Sequence, residues 1–187
     1  MSDPYLYRNS DVLINKLGIR DPDELDRVER NFVRLRIIDG PPQGKFDLAH
    51  LRAIHRHLFQ DIYKWAGAIR TVEIAKGGTQ FMLRQYIQTG MADVHRRIEQ
   101  AGFLQGLAPA AFAEKAGEML GDVNHIHPFR EGNGRTQFEY LQQLAAQAGH
   151  QFRPERLTSE RWYAASRAAH LGDYRPMAAE IYKAIEP

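Results

Sequence analysis

The sequence predicts an all-α protein: a helical bundle interrupted by one short β-hairpin. Three observations carry this. Apolar residues recur at spacings of three and four along most of the chain. Helix-start signals recur between turn-rich breaks. Strict alternation of apolar and polar residues occurs in one place only, TVEIAKGGTQFM at 71–82.

Asp21-Pro22-Asp23-Glu24 opens the first helix, with an acid at the cap, proline at the first helical position and glutamate at the third. The helix is expected to run to about Ile37, before the break GPPQGK (40–45). Asp47 caps a second helix whose core stripe is Leu48, Leu51, Ile54, Leu58, Ile62 and Trp65. In the 71–82 stretch Val72 and Ile74 alternate with polar neighbours and Gly77-Gly78 supplies a tight turn, so a hairpin is expected. Two strands are marginal alone in water, so the hairpin must lean on the helices or on a partner. Helical patterning resumes from about Gln85 to Gln100, and Pro109 opens another helix reaching about His125. One more helix follows from about Arg135 to Ala148, and Thr158 or Ser159 and then Asp173 cap the last two. There are no repeats and no low-complexity segment, so the chain reads as a single domain over 1–187.

Composition narrows the function. With 187 residues the chain is long enough to bury a sizeable core; it is 43% hydrophobic and 26% charged. No apolar run is long enough to cross a membrane, and MSDPYLYRNSD lacks the pattern of a secretory signal. The absence of cysteine excludes thiolate metal sites and cysteine nucleophiles, and fits a cytoplasmic location. A net charge of +2, with both signs interspersed, does not make a nucleic-acid-binding face. The expected protein therefore engages neither nucleic acid nor membrane.

The chemistry concentrates in HPFREGNGRTQF (127–138). A helix ends before this loop and another begins near Gly134 or Arg135, so the loop sits at a helix N-terminus, where unpaired N–H groups and the helix dipole favour anions. Gly132 and Gly134 allow close approach of the backbone to a ligand. Asn133 adds a neutral donor and Arg135 a planar cation. Glu131 suits Mg²⁺ held against phosphate oxygens. His127 titrates near neutrality and can accept a proton from an attacking hydroxyl. A base, a metal ligand and an anion cradle together suit phosphoryl or nucleotidyl transfer. Taken singly, His-Pro is a helix terminator and Gly-Asn-Gly a turn; the combination points to the chemistry.

HPFREGNGR resembles the signature of Fic-domain proteins, His-x-Phe-x-Asp/Glu-Gly-Asn-Gly-Arg-x-x-Arg, at every specified position except the last. DPYLY (3–7), FQDIYKWAGAIR (59–70) and IAKGGTQF (74–81) are similar to Fic-domain segments in the same order, so the resemblance extends from about Asp3 to Asp173. It implies a Fic fold of about six to eight helices with a hairpin flap. It also implies AMPylation: transfer of AMP from ATP to a Ser, Thr or Tyr hydroxyl of a target protein, with pyrophosphate leaving.

By the same resemblance His127 is the base, Phe129 anchors the loop in the core, Glu131 binds Mg²⁺, and Gly132, Asn133, Gly134 and Arg135 hold phosphates. The 71–82 flap pairs with an extended segment of the target. Lys76 and Gly77 lie beside the nucleotide, and Trp162 and His170, from WYAASRAAHLGD, border the adenine; core packing for Trp162 and a surface role for His170 are the alternatives. The related death-on-curing branch, which phosphorylates, has lysine where this chain has Gly134, so the glycine favours nucleotidyl transfer.

Two features qualify this. The family's second arginine, which holds the γ-phosphate, is replaced by Phe138. Losing such a contact costs about 1.5–3 kcal/mol. Phe138 also falls on a stripe with Leu141 and Ala145, which reads as core. The alternatives are therefore a Fic domain with weakened catalysis, or one using another donor such as UTP or CDP-choline, acting as a nucleotide- or protein-binding module. Second, the only glutamate followed by Gly or Asn is Glu131 itself, so the family's inhibitory helix pattern is absent in cis. The resemblance then implies a bacterial toxin held in check by a small antitoxin protein that supplies the inhibitory glutamate helix. A metal-dependent hydrolase built on His125 and His127 is a third reading, disfavoured because residues two apart on a helix face different sides.

Overall fold

The computed structural model describes residues 3–185, and its helices are α1 (Pro22–Asp39), α2 (Leu48–Phe59), α3 (Ile87–Gln100), α4 (Pro109–Ile126), α5 (Asn133–Gln147), α6 (Ser159–His170) and α7 (Arg175–Ile185). Strands β1 (Ala75–Lys76) and β2 (Thr79–Gln80) pair antiparallel, Ala75 opposite Gln80 and Lys76 opposite Thr79. The all-α architecture with one short hairpin anticipated from the sequence is the one observed.

The cap signals act as expected. Asp21 accepts from the N–H of Glu24 at 2.8 Å, Asp47 from His50 at 2.7 Å and Thr158 from Arg161 at 3.4 Å, each quenching a donor that the first helical turn leaves unpaired. Gly77 and Gly78 both have positive φ, 57° and 79°, the twist that a two-residue hairpin turn needs.

Three details differ. The second helix stops at Phe59: Ile62 and Tyr63 donate to the Phe59 carbonyl in successive turns, so Ile62 and Trp65 reach the core from turns that continue the stripe in space. The strands are shorter than the alternation suggests, leaving Val72 and Ile74 outside them. Phe138 is half-buried and lines a cleft, not the core stripe of Leu141 and Ala145.

Helix α4 is the hub, packing on α3, α5, α6 and α7, while α2 lies between α1 and α5. Leu51, Ile54, Leu58, Phe112, Val123 and Ile181 are inaccessible to solvent at the centre. Helix packing thus makes a rigid frame of α2, α4 and α5, and the α4–α5 connection is the polar loop of interest. The N-terminal strap closes over it: Asp3 accepts from the Nε–H of Arg130 at 2.8 Å, and Tyr5 packs edge-on against Trp65. Among the described residues no helix is long and apolar enough to cross a membrane.

Candidate active site

Helix α4 ends because His127 takes up left-handed φ/ψ (48°, 65°), with its N–H still bonded to the Val123 carbonyl at 3.1 Å. That conformation is uncommon for a residue with a side chain and costs about 1–2 kcal/mol. It turns the chain abruptly and puts the imidazole at the rim of a cleft of about 1010 Å³. The His127 Nδ1 lies 3.0 Å from the Asn124 carbonyl oxygen, which can only accept. Nδ1 therefore carries the proton and Nε2 the lone pair. Burial pushes the ring's pKa down to about 4, reinforced by Arg70 and Lys76 and only partly opposed by the Asn124 bond. At neutral pH the imidazole is an unprotonated acceptor.

The loop that follows is braced from within. Phe129 is fully buried and stacks on His55 at a centroid distance of 3.9 Å. Asn133 spans the loop in both directions, its Oδ1 accepting from the Phe129 N–H at 2.9 Å and its Nδ2 donating to the Phe129 carbonyl at 2.8 Å. The Asn133 side chain is thus occupied as a brace, and the residue offers the cleft its backbone. Gly132 has φ +82°, and a Cβ there would lie 2.4 Å from Phe59 Cζ, so only glycine fits. A Cβ on Gly134 would meet nothing within 4 Å; that glycine keeps the cleft open instead of relieving a clash.

Helix α5 begins at Asn133 without a side-chain cap. Its backbone ladder starts with Thr136 N–H to the Gly132 carbonyl, which leaves the N–H groups of Asn133, Gly134 and Arg135 ahead of the ladder at the positive end of the dipole. Glu131 is half-exposed at the same place, one oxygen accepting from the Gly132 N–H at 2.8 Å.

The flap covers this arrangement. Phe81 stacks on His127 with centroids 3.7 Å apart, and the Met82 N–H donates to the His125 carbonyl at 3.0 Å. Lys76 at the flap turn lies over the Tyr163 ring at 5.3 Å. His170 meets Phe81 edge-on and packs near His125. Burial, then His125, lowers its pKa. Trp162 meets Phe138 edge-on at 5.5 Å, and Phe138 meets Phe152 likewise at 5.4 Å. Every residue nominated from the sequence (Lys76, Gly77, His127, Glu131, Gly132, Asn133, Gly134, Arg135, Trp162 and His170) lines this one cleft.

Three residues that the sequence reading did not single out hold the site together. Arg70 is buried and donates from Nε to the His127 carbonyl at 2.9 Å, from Nη1 to Val72 at 2.8 Å and from Nη2 to Met82, while its own N–H reaches the Pro128 carbonyl. It joins the flap to the loop, and burial lowers its pKa. His55 accepts the Gly67 N–H on Nδ1 at 2.8 Å, so its Nε2–H donates to the Glu131 carbonyl at 2.9 Å. Burial pushes its pKa to about 4. Glu29 on α1 accepts from Arg135 at 2.5 Å. No periodicity marks these polar side chains; a signal existed only for Glu29 and His55, each a polar residue on the apolar face of its own helix, α1 and α2.

Among the described residues no three His, Asp or Glu side chains converge to hold a metal ion. His125 faces the His170 ring, and His127 faces Phe81. Of the carboxylates that line the cleft, Glu131 is the one that lies on the polar loop itself, beside the start of α5.

Comparisons with known proteins agree with this geometry. The family model described as Fic/DOC family matches residues 45–145. A protein of Sinorhizobium fredii named probable protein adenylyltransferase is 38% identical, over 99% of this chain and 97% of its own length. The Escherichia coli protein named probable protein adenylyltransferase Fic is 37% identical, over 91% of this chain and 86% of its own. Among solved structures, the N-terminal Fic domain of a Bartonella quintana effector with bound ADP superposes with a TM-score of 0.89 at 31% identity, covering 98% of this chain and 94% of that one. A Bartonella tribocorum effector with bound AMPPNP gives 0.88 at 28% identity, covering 98% and 96%.

Proposed function

The chain belongs to the Fic/DOC family and is a nucleotidyltransferase of that family, and we propose that it moves AMP from ATP to a Ser, Thr or Tyr hydroxyl of a target protein. The observation that carries this reading is the tautomer of His127: Nδ1 is pinned to Asn124, so the nitrogen left for the cleft is a lone pair at neutral pH. The relatives named adenylyltransferase, and the ADP- and AMPPNP-bound neighbours, support ATP as the nucleotide.

The target's hydroxyl proton passes to His127 Nε2 as its oxygen bonds the α-phosphorus, and the bond to the bridging oxygen breaks to release pyrophosphate. Backbone N–H groups of Asn133, Gly134 and Arg135, with the Arg135 guanidinium, meet the charge that develops on the phosphates. Glu131 would hold Mg²⁺: one half-exposed carboxylate beside an anion cradle matches a cation that keeps most of its waters and takes the rest of its ligands from phosphate. That ion would neutralise phosphate charge. Lys76 and Gly77 flank the nucleotide from the flap, and Trp162 and His170 form the far wall, with His170 also packing edge-on against Phe81 of the flap.

The target is proposed to add an extended segment along the 71–82 flap, whose short strands leave backbone groups available for pairing. Because no glutamate other than Glu131 is followed by Gly or Asn, regulation is proposed to come from a separate small antitoxin protein in the cytoplasm.

Phe138 favours a second reading. Its ring faces the cleft between Phe152 and Trp162, one helical turn beyond Gly134, and supplies no charge there. A donor with less charge beyond its β-phosphate, or slower use of ATP, fits that wall.

Incubation with bacterial lysate, Mg²⁺ and α- or γ-labelled ATP separates the readings. α-Label that disappears in His127→Ala is the expected result. Label from the γ position alone would sink AMP transfer in favour of a kinase, and ATP binding without either label would leave a binding module.

A further inference from the structure

Glu29 is a buried carboxylate, 5% exposed, on a helix outside the loop chemistry. An unpaired charge at such a depth would be costly, and each of its oxygens has one donor. Tyr63 donates its hydroxyl to Oε2, and Arg135 donates from Nη2 to Oε1 at 2.5 Å. Burial and the neighbouring Glu29 charge raise the Tyr63 pKa, so the phenol stays a donor at any physiological pH.

The guanidinium of Arg135 is planar and rigid, so fixing one nitrogen fixes the direction of the others. Here it is fixed twice: its Nη2 is bonded to Glu29, and its carbon lies 4.8 Å above the Phe59 ring. Glu131, at 3.7 Å, adds a looser attraction from the cleft side. Only Nη2 is committed within the chain among the described residues; the rest of the fork meets the cleft that Arg135 lines.

We propose that Glu29, braced by Tyr63, is a positioning residue that locks Arg135 in the orientation used during transfer. The proposal rests on the AMP-transfer reading of this site. Its cost is affinity: the carboxylate cancels much of the charge with which Arg135 would attract a ground-state nucleotide. The benefit appears when charge shifts onto the phosphate oxygens, because a guanidinium already in place needs no reorganisation. Glu29 should therefore act on the rate constant for transfer and leave nucleotide affinity untouched or weakened.

Glu29→Gln keeps the shape and removes the charge. Its expected behaviour is a fall of about tenfold to a hundredfold in the maximal rate of α-label transfer, the size of one charge-assisted hydrogen bond. Its Kd for AMPPNP, read by calorimetry, should match wild type within about threefold or be tighter. Tyr63→Phe removes only the brace and should lower the rate by about two- to tenfold, again without weakening AMPPNP binding. A purely structural role would lower melting temperature and spoil affinity and rate together. A wild-type rate in Glu29→Gln, or a loss of AMPPNP affinity matching the loss of rate, overturns the proposal. Should Glu29→Gln fail to fold, Tyr63→Phe decides, and an unchanged rate there overturns it equally. Wild-type protein that transfers no α-label would remove the transfer reading and this inference with it; label from wild type with an unaltered Glu29→Gln removes the inference alone.

Discussion

The Nε–H of Arg70 reaches the carbonyl oxygen of His127 at 2.9 Å. The residue proposed as base is thus held through its backbone by a buried cation from the segment before the flap. The same guanidinium bonds Val72 and Met82, one on each side of the hairpin, so flap and loop share one anchor. Arg70→Met should leave these carbonyls without a donor and cost about 2–5 kcal/mol in urea denaturation. Hydrogen exchange at 71–82 should rise in the same variant. Arg70→Lys should not restore the loss, because an ammonium cannot reach three carbonyls as a fork does.

The pH profile of transfer should be flat through neutrality. His127 must be unprotonated to accept the hydroxyl proton, and burial holds its pKa near 4. The rate constant kcat/KM should fall about tenfold per pH unit only below that value. An acidic limb centred near 6.5 would contradict the geometry.

His55 predicts a separate effect on stability. Its folded pKa, about 4, lies below the ordinary 6.5, so the unfolded chain binds more protons between those values. Stability from this group is complete above pH 6.5 and is lost as pH falls towards 4, amounting to roughly 3 kcal/mol at about 1.4 kcal/mol per unit. His127, held near pH 4 by the same burial, titrates over the same window, so the difference between wild type and His55→Gln in chemical denaturation at pH 7, 5.5 and 4.5 measures the His55 share; the variant should show lower stability at pH 7 with a shallower dependence.

The two glycines of the loop should respond in opposite ways. Gly132→Ala places a methyl 2.4 Å from the Phe59 ring at φ +82°, for a cost of about 2–4 kcal/mol. Gly134→Ala meets open space and should raise helix stability by up to about 1 kcal/mol. Its damage should be confined to AMPPNP binding.

Phe138→Arg tests the aromatic wall. A cation between Trp162 and Phe152, facing phosphate, should improve use of ATP by about tenfold to a hundredfold, read as kcat/KM. An unchanged value would show that the phosphate chain does not extend towards this wall.

The helices and the loop were legible because their signals are local. Asp21, Asp47 and Thr158 cap helices through atoms three residues away, and the apolar stripes need only a period. The contents of 127–135 were legible because residue types suffice to state what a base or a cradle requires. The rest depends on who meets whom in space. Phe138 sits on a helical stripe that reads as core, yet the neighbouring α6 stands off far enough to leave it at a cleft wall. Asn133 looks like a free donor until Phe129 is seen to occupy both ends of its amide. Arg70, His55 and Glu29 act across gaps of 57, 76 and 106 residues, and no window along the chain contains both partners.

The segment recognised as Fic/DOC ends short of two walls of the cleft. Residues 45–145 include the flap and the whole polar loop, but α1, with Glu29, and α6, with Trp162 and His170, fall outside. The portable part of this protein is therefore smaller than its working part. A chimera built by grafting 45–145 onto another helical scaffold would keep every letter of the motif and lose the counter-charge on Arg135 and the surface facing the flap. What can be transplanted is the vocabulary of the site; the orientation of its arginine has to be rebuilt by the new host.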